Sequence, residues 1–238
     1  MNIALIGYGK LGKEVEKVAL ERSHDISLII DIDNQQDLNP NNLAKVDVAI
    51  EFTTPSSVKG NILKCFDSNT PIVTGTTGWN KDLKEICDIC IQRNQSLFYG
   101  SNFSIGVNIL FAVNEYLASL MKGFRQYNVS IEEIHHTQKL DAPSGTAINL
   151  ADQIIARIEQ KVKWELNETS GEDSLLIKSI REGDIKGIHE VRYESEPDIL
   201  YIKHFAKSRK GFAIGAILAA EYILGKKGIY TMRDLMGL

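Results

Sequence analysis

A glycine-rich turn near the amino terminus places the strongest constraint on how this chain can fold. The residues G-Y-G-K-L-G follow the apolar run Asn2–Ile6 and precede a helical pattern at Lys13–Leu20. Glycine at the first two positions permits a tight turn and close approach of a pyrophosphate, and the third glycine lets the helix pack on the strand. Amide groups at the helix start would bind the phosphates. We therefore predict a dinucleotide site formed by Gly7, Tyr8, Gly9, Lys10, Leu11 and Gly12.

The position of an acidic residue supports this prediction. Asp31 follows the second apolar run, Ile26–Ile30, about 20 residues after the glycine turn, where a carboxylate can accept hydrogen bonds from the adenosine ribose. The motif alone is weak, and a tight turn with a surface aspartate is the alternative. Asp31 and Asp33 would repel a 2′-phosphate, and no arginine lies beside them. We expect NADH to serve at least as well as NADPH.

Strand-like and helix-like segments alternate through the first hundred residues. The apolar runs are Asn2–Ile6, Ile26–Ile30, Val46–Phe52, Pro71–Thr74 and Ser96–Tyr99. This alternation is typical of a parallel sheet covered by helices, in which ligands bind beyond the carboxyl ends of the strands. Two loops at such ends are expected to reach the nicotinamide, although ordinary turns are the alternative; their residues are Gly75, Thr76 and Thr77, and Ser101, Asn102 and Phe103.

The pattern changes after Gly106. A helical segment at Asn108–Leu120 is followed by a strand, a long helix and two further strands, at Asn128–Ile134, Ala147–Val162, Gly187–Glu194 and Asp198–Ala206. This order is typical of an α+β domain, and a last helix at Gly211–Leu224 can return to the first domain. We predict an α/β protein with a Rossmann dinucleotide-binding domain at residues 1–105, completed by residues 210–238, and an α+β domain at residues 106–209.

Composition excludes several classes of protein. The 238 residues carry a formal net charge of -4, so neither nucleic acid nor an anionic membrane is expected as a partner. No apolar run approaches the roughly 20 residues that cross a bilayer. The chain has three cysteines, and Cys87 and Cys90 follow helical spacing, which favours small buried thiols over a redox pair. With no signal-peptide pattern at the start, we expect a cytoplasmic location.

The segment from Glu132 to Ala147, EEIHHTQKLDAPSGTA, has the residues of an anion site. Ser144 suits the cap of a helix whose first amide groups, around Gly145 and Thr146, would bind a carboxylate. Lys139 adds a positive charge nearby. A polar loop ahead of a well-capped helix is the alternative.

Two adjacent histidines in this segment, His135 and His136, can donate a proton near neutral pH. Zinc is disfavoured and no metal is expected, because adjacent histidines on a strand point to opposite faces and cysteine or carboxylate partners at ligand spacing are missing. Together with the dinucleotide site, these residues fit a small anionic substrate that gains a proton while a dinucleotide supplies hydride.

The same segment resembles the signature of the 4-hydroxy-tetrahydrodipicolinate reductase family, also called dihydrodipicolinate reductase. That signature has Glu-x-His, a lysine four residues after the histidine, and Asp-x-Pro-Ser-Gly-Thr-Ala. This chain supplies Glu133, His135, Lys139, Asp141 and Pro143 to Ala147. The likeness covers almost the whole chain, with further matches at the glycine turn, Glu51 to Pro55, Gly75 to Gly78, Asn102 to Asn108, Arg181 to Asp184, Gly187, His189, Ser208, Arg209, Phe212, Gly215, Ala216 and Met232 to Asp234.

The resemblance implies reduction of a cyclic dicarboxylate imine by NADH or NADPH, in diaminopimelate and lysine biosynthesis. It implies His135 as proton donor and Lys139 as a second catalytic donor. The substrate-binding positions that it implies are His136, Gly145, Thr146 and Arg209. The implied dinucleotide contacts are the glycine turn, Asp31, Gly75, Thr76, Thr77, Gly100, Ser101, Asn102 and Phe103.

The resemblance also implies a Rossmann domain joined by hinges to a mixed-sheet domain, and a homotetramer built through the C-terminal sheets. The chain departs from the signature at Ser130, where the family usually has glutamate, and this change is expected to weaken support for His135. It also has Asp33 where members that use NADPH often carry arginine. Two alternatives stay open: a related reductase of another cyclic imine, and a dinucleotide sensor without catalysis.

Overall fold

Two separate sheets organise the chain. The computed structural model describes residues 1–238, which divide into a first unit, Met1–Ile105 with Arg209–Leu238, and a second unit, Gly106–Ser208. The strands are β1 (Asn2–Ile6), β2 (Asp25–Ile30), β3 (Val48–Glu51), β4 (Ile72–Thr74), β5 (Ser96–Tyr99), β6 (Asn128–His135), β7 (Lys163–Leu166), β8 (Ser174–Arg181), β9 (Ile188–Glu194), β10 (Ile199–Phe205) and β11 (Gly228–Tyr230).

Eight α-helices connect these strands. They are α1 (Lys10–Glu21), α2 (Pro40–Leu43), α3 (Val58–Asp67), α4 (Asn80–Gln92), α5 (Ile105–Met121), α6 (Gly145–Ile155), α7 (Lys210–Ile223) and α8 (Met232–Met236). A 3-10 helix, Ile32–Asp37, follows β2. None of the helices combines the length and apolar character that a membrane span requires.

The sheet of the first unit is parallel, which confirms the predicted Rossmann-like fold. Its strand order is β11-β5-β4-β3-β1-β2. Alternate residues of β1 enter different cores: Ile3 and Leu5 pack with α1 and α7, whereas Ala4 and Ile6 pack with α3 and α4. Because both faces are covered, these strands are apolar throughout. Their carboxyl ends form one edge of the sheet, where the predicted dinucleotide loops lie.

Helix α7, near the end of the chain, packs closely against the segment after β5. A Cβ atom on Gly215 would lie 1.7 Å from the carbonyl oxygen of Phe103, so only glycine permits this approach. The small residues Ala213, Ala216 and Ala220 of the same helix are fully buried. Close packing of backbone on backbone therefore fixes α7 within the first unit.

The two neighbouring cysteines lie on α4, as their spacing predicts. Cys90 is fully buried, Cys87 is half-buried, and neither forms a disulfide. Burial raises the pKa of the Cys90 thiol to about 11, which leaves it protonated and unreactive at neutral pH. The prediction of small buried thiols is confirmed for Cys90.

The sheet of the second unit is mixed, with strand order β10-β9-β6-β8-β7. Strand β6 is parallel to β8 and antiparallel to β9. One face of the sheet packs against α5 and α6 through apolar residues that include Val129, Ile131, Leu150 and Ile154. The other face carries the alternate residues of each strand.

The predicted helix Ala147–Val162 is wrong at its end, and two strands of the second unit, like β11 of the first, were not predicted. Helix α6 ends at Ile155, and Lys163–Leu166 forms β7. The ammonium group of Lys161 donates hydrogen bonds to the carbonyl oxygens of Glu172 and Ser174, which holds the chain in a turn where the helical pattern would continue. The second missed strand, β8, supplies two residues of the site described below.

Candidate active site

The three glycines of the first turn differ in what surrounds them. A Cβ atom on Gly7, whose φ is +93°, would lie 2.1 Å from the carbonyl oxygen of Phe52, and one on Gly12 would lie 2.3 Å from that of Gly7. Packing within the protein therefore requires both. Gly9, the residue that caps α1, has no heavy atom within 4 Å of the Cβ position. Its lack of a side chain leaves space where a phosphate can approach the backbone.

A cavity of about 440 Å³ opens beside this turn. Four of the residues predicted to contact a dinucleotide line it: Gly7, Tyr8, Gly9 and Asp31. The Asp31 carboxylate is exposed and accepts a hydrogen bond from the Ile32 amide at 2.9 Å. Lys64 also lines the cavity, and this cation was not foreseen because it lies on α3, distant in sequence from the acidic pair.

Some predicted dinucleotide residues use their side chains within the protein. Phe103 is 2% exposed, and its ring packs 5.8 Å from that of Phe52. Tyr8 donates a hydrogen bond to Glu16, and Thr76 donates one to Glu51 at 3.0 Å. For Phe103 and Thr76, the main chain is the part left for a ligand.

Glu51, at the end of β3, is a buried residue whose role was not predicted. Its carboxylate is fully buried and accepts hydrogen bonds from the backbone and hydroxyl of Thr53 and from the hydroxyls of Thr74 and Thr76. Thr53 and Thr76 lie in the loops after β3 and β4, and Thr74 is the last residue of β4. The carboxylate therefore ties together two loops at the dinucleotide edge of the sheet.

In the second unit, strand pairing places Glu133 and His135 among residues of β8 and β9. The two residues are two apart on β6 and share its helix-facing side. In the register of the sheet, Glu133 lies between Ser179 of β8 and His189 of β9, and Arg181 lies opposite His135. The register of the sheet thus groups four residues from three strands with His135.

The carboxylate of Glu133 is fully buried and hydrogen-bonded on both oxygens. Oε1 accepts from the hydroxyl of Ser179 and from Arg181 at 2.9 Å, and Oε2 pairs with Nδ1 of His135. Burial alone would raise the pKa of Glu133, but the hydrogen bonds from His135, Ser179 and Arg181 outweigh it and lower the pKa to about 2. Glu133 is therefore ionised and holds Nδ1 of His135 as a donor.

A glycine leaves room beside the other nitrogen of His135. A Cβ atom on Gly187 would lie 3.1 Å from Nε2 of His135, closer than most such contacts. Ser130 does not lie near this histidine, because it is on the opposite face of β6. The expectation that serine at this position weakens support for His135 is therefore wrong, and Glu133 provides that support.

Lys139 is ion-paired with Asp141 in this structure. Its Nζ lies 2.7 Å from both carboxylate oxygens. Burial raises the pKa of Asp141, but the hydrogen bond and charge of Lys139 outweigh it, so the pKa is lowered. Arg181 donates a hydrogen bond to the carbonyl oxygen of Asp141 at 2.7 Å, which ties this loop to the Glu133 cluster.

The start of α6 has the serine cap that the sequence predicts. Ser144 caps the helix by accepting a hydrogen bond from the Ala147 amide at 3.2 Å. A Cβ atom on Gly145 would meet nothing within 4 Å, so the first turn of the helix is open. Nδ1 of His136, in the segment between β6 and α6, is buried without a hydrogen-bond partner. The exposed first turn and the unpaired nitrogen both suit an anionic ligand.

A metal ion does not fit this site well, although three potential ligands converge. Glu133, His135 and His189 each offer an atom within 4.8 Å of the others, so the expectation that a carboxylate partner is missing is wrong. However, both oxygens of Glu133 already accept hydrogen bonds, and the guanidinium of Arg181 lies beside them. The cluster is better suited to proton transfer.

Arg209 lies in the first unit, at the cap position before α7. Its predicted contact with substrate stays a prediction.

Family models match both halves of the chain. Residues 1–103 match the model described as dihydrodipicolinate reductase, N-terminus, and residues 106–236 match that described as dihydrodipicolinate reductase, C-terminus. Together these matches cover nearly the whole sequence.

Individual proteins give the same result. The chain is 46% identical over 237 residues to 4-hydroxy-tetrahydrodipicolinate reductase of Christiangramia forsetii, covering 99% of this chain and 98% of that protein. It is 33% identical to the enzyme of the same name from Akkermansia muciniphila, covering 97% and 95%. Among solved structures, dipicolinate-bound dihydrodipicolinate reductase from Paenisporosarcina sp. TG-14 shares the fold, with a TM-score of 0.76, 24% identity and 97% coverage of both chains.

Substitution of the turn glycines should separate cofactor affinity from stability. Gly9→Ala should weaken NADH binding about tenfold or more, because a methyl group enters the space for phosphate, while stability changes by about 1 kcal/mol or less. Gly12→Ala should destabilise the protein by about 2 kcal/mol or more, because its Cβ meets backbone. Fluorescence titration with NADH and urea unfolding would measure the two effects.

Gly60→Ala is the matched control, since that glycine lies on α3 with nothing within 4 Å of its Cβ position. It should leave NADH affinity unchanged. Equal NADH affinity in Gly9→Ala and Gly60→Ala would contradict the assignment of Gly9.

Proposed function

The chain belongs to the dihydrodipicolinate reductase family and is an NAD(P)H-dependent oxidoreductase, and we propose that it reduces the cyclic imine formed from 4-hydroxy-tetrahydrodipicolinate to tetrahydrodipicolinate. The observation that carries this proposal is the ionised, buried Glu133 bonded to His135 beside Lys139 and the start of α6. A proton donor next to an anion site is what a dicarboxylate imine needs. We place the reaction in diaminopimelate and lysine biosynthesis, in the cytoplasm.

The first unit is proposed to bind the dinucleotide, and the second unit the substrate. Bound NADH or NADPH supplies a hydride to C4 of the substrate ring. The open space at Gly9 and the cavity beside Asp31 support binding of the pyrophosphate and the adenosine half. The loops that Glu51 ties together are proposed to hold the nicotinamide end, mainly through their main chains.

His135 is the proposed proton donor. Glu133 orients its ring through Nδ1 and places a negative charge beside it. Gly187 leaves room beside Nε2, and we propose that the proton is donated from that atom as electron density moves toward the ring nitrogen of the substrate. The pairing resembles other sites in which a carboxylate fixes the tautomer of a catalytic histidine.

Lys139 and the start of α6 are proposed to bind a substrate carboxylate. The Ser144 cap leaves the first turn, with Gly145 and Thr146, for an anion, and His136 and Arg209 complete the proposed contacts. Lys139 would exchange its bond to Asp141 for one to substrate. Dipicolinate, which the related Paenisporosarcina structure binds, is a planar dicarboxylate of the kind this site would hold.

Turnover should depend on both proposed donors. NADH oxidation at 340 nm would be followed with substrate made in situ by dihydrodipicolinate synthase from pyruvate and aspartate semialdehyde. His135→Ala and Lys139→Ala should each lower kcat by about 10²–10³, while NADH affinity changes less than about twofold. The double variant should be inactive.

Lys163→Ala is the matched control, because Lys163 is paired with an acid two residues later, as Lys139 is. It should retain wild-type turnover. Dinucleotide binding without synthase-dependent turnover would favour the sensor, and turnover only with another cyclic imine would favour the related reductase.

NADH is proposed to be used at least as well as NADPH. The Asp31 carboxylate lines the adenosine cavity and opposes a 2′-phosphate, while Lys64 on the same cavity could offset that repulsion in part. We expect kcat/KM for NADH to equal or exceed that for NADPH, and Lys64→Ala to lower only the NADPH value. A tenfold preference for NADPH in the wild type would contradict the proposal.

A homotetramer formed through the second unit is proposed. The face of its sheet away from the helices carries an apolar row across four strands, Ile180, Ile134, Ile188 and Phe205. The next row is charged, with two central glutamates each paired to an outer lysine, Lys178 to Glu132 and Lys203 to Glu190. Phe205 and Tyr201 on β10 are more than half exposed. Such a surface suits pairing with another copy of the same sheet.

Sedimentation velocity should therefore give the mass of a tetramer. The substitution pair Tyr201→Glu and Phe205→Glu should dissociate it, because two charges would be buried. Leu20→Glu, at an equally exposed apolar position of the first unit, should leave it intact. A wild-type monomer at micromolar concentration would refute this assembly.

A further inference from the structure

His189 contacts both parts of the site in the second unit, the proton donor and the helix start. It lies on β9 opposite Glu133, and only 4% of its surface is exposed. Its ring meets that of His135 edge to face, with 5.0 Å between centroids and 71° between planes. Its Nε2 lies 3.0 Å from Oγ of Ser144, the cap of α6.

Ser144 links the cap of α6 to His189 by a hydrogen bond. Oγ of Ser144 accepts the amide hydrogen of Ala147, and its hydroxyl proton is free to be donated to Nε2 of His189. The other ring nitrogen of His189, Nδ1, is buried without a hydrogen-bond partner. An unpaired buried polar atom costs free energy, so a residue needed only for packing would be apolar here.

His189 is neutral although charged and titratable groups surround it. The groups that face it are His135, Glu133, Lys139 and His204. Burial, and then the charge of His135, lowers the pKa of His189 to about 3. A neutral ring can pack against His135 without repelling its protonated form.

We propose that His189 is a positioning residue that fixes His135 relative to the start of α6. It packs against His135 and accepts a hydrogen bond from Ser144 at the start of α6. The inference rests on the proposed function, in which His135 donates the proton and the α6 start binds a carboxylate. Without the acceptor, the Ser144 hydroxyl loses its partner and the helix start binds the carboxylate less well.

Two substitutions distinguish the packing role of the His189 ring from the role of its hydrogen-bond acceptor, Nε2. His189→Phe keeps an aromatic ring but removes the acceptor, whereas His189→Gln places an amide oxygen near the position of Nε2. Loss of this buried hydrogen bond should raise the Kd of dipicolinate and KM about tenfold in His189→Phe, with kcat and NADH affinity within about twofold. His189→Gln should stay within about threefold of wild type. Calorimetry with dipicolinate in the presence of NADH would measure Kd.

A double-mutant cycle tests whether Ser144 transmits the effect. Ser144→Ala should weaken dipicolinate binding as His189→Phe does, and the double variant should bind no worse than the weaker single variant. His204→Phe is the matched control, because His204 is the neighbour of His189 on β10 and also has a buried Nδ1 without a partner. It should leave dipicolinate affinity unchanged.

Three results would overturn the proposal: equal losses in the Phe and Gln variants, additive losses in the cycle, or parallel loss of NADH and dipicolinate affinity. Dipicolinate binding needs no turnover, so a wild type that binds it but does not reduce the imine would refute the proposed function while the cycle still reports on His189. A wild type that neither binds nor reacts would refute both.

Discussion

Removing a carboxylate from water costs several kcal/mol unless its oxygens receive strong donors, and this cost shapes the second unit at Glu133. The donors are His135 on the same strand, β6, and Ser179 and Arg181 on β8. Strand β8 must therefore pair with β6 in one register. The same requirement orients the His135 ring and, through Arg181, holds the loop of Lys139.

The first unit also has a buried carboxylate, and there it is stabilised without a cation. Glu51 is as deeply buried as Glu133, but its partners are threonine hydroxyls and a backbone amide from two loops. A carboxylate at the end of a central strand thus organises the loops in each unit. In the first unit it leaves main-chain groups and open space for a dinucleotide. In the second unit it sets the orientation of a side chain that can transfer a proton.

The sequence predicts the features that depend on neighbouring residues. The glycine turn, the Ser144 cap and the alternating apolar runs are all local, and the parallel sheet follows from them. Residues brought together by strand register were not predictable in the same way. His189 is far from Glu133 in the sequence, and Lys64 reaches the cavity from a helix. Strand β8 was not predicted, because polar residues flank its short apolar stretch, Leu175 to Ile177.

The open space at Gly9 links the stability of the protein to its cofactor. At Gly7 and Gly12, other protein atoms lie where a Cβ atom would be, whereas no protein atom lies within 4 Å of that position at Gly9. A bound ligand can therefore occupy the space at Gly9. A ligand that binds the folded state alone adds about 2.7 kcal/mol of stability at a hundred times its Kd. Resistance to unfolding and proteolysis would then rise and fall with the cellular pool of pyridine nucleotide, so the amount of enzyme would follow the supply of its reductant.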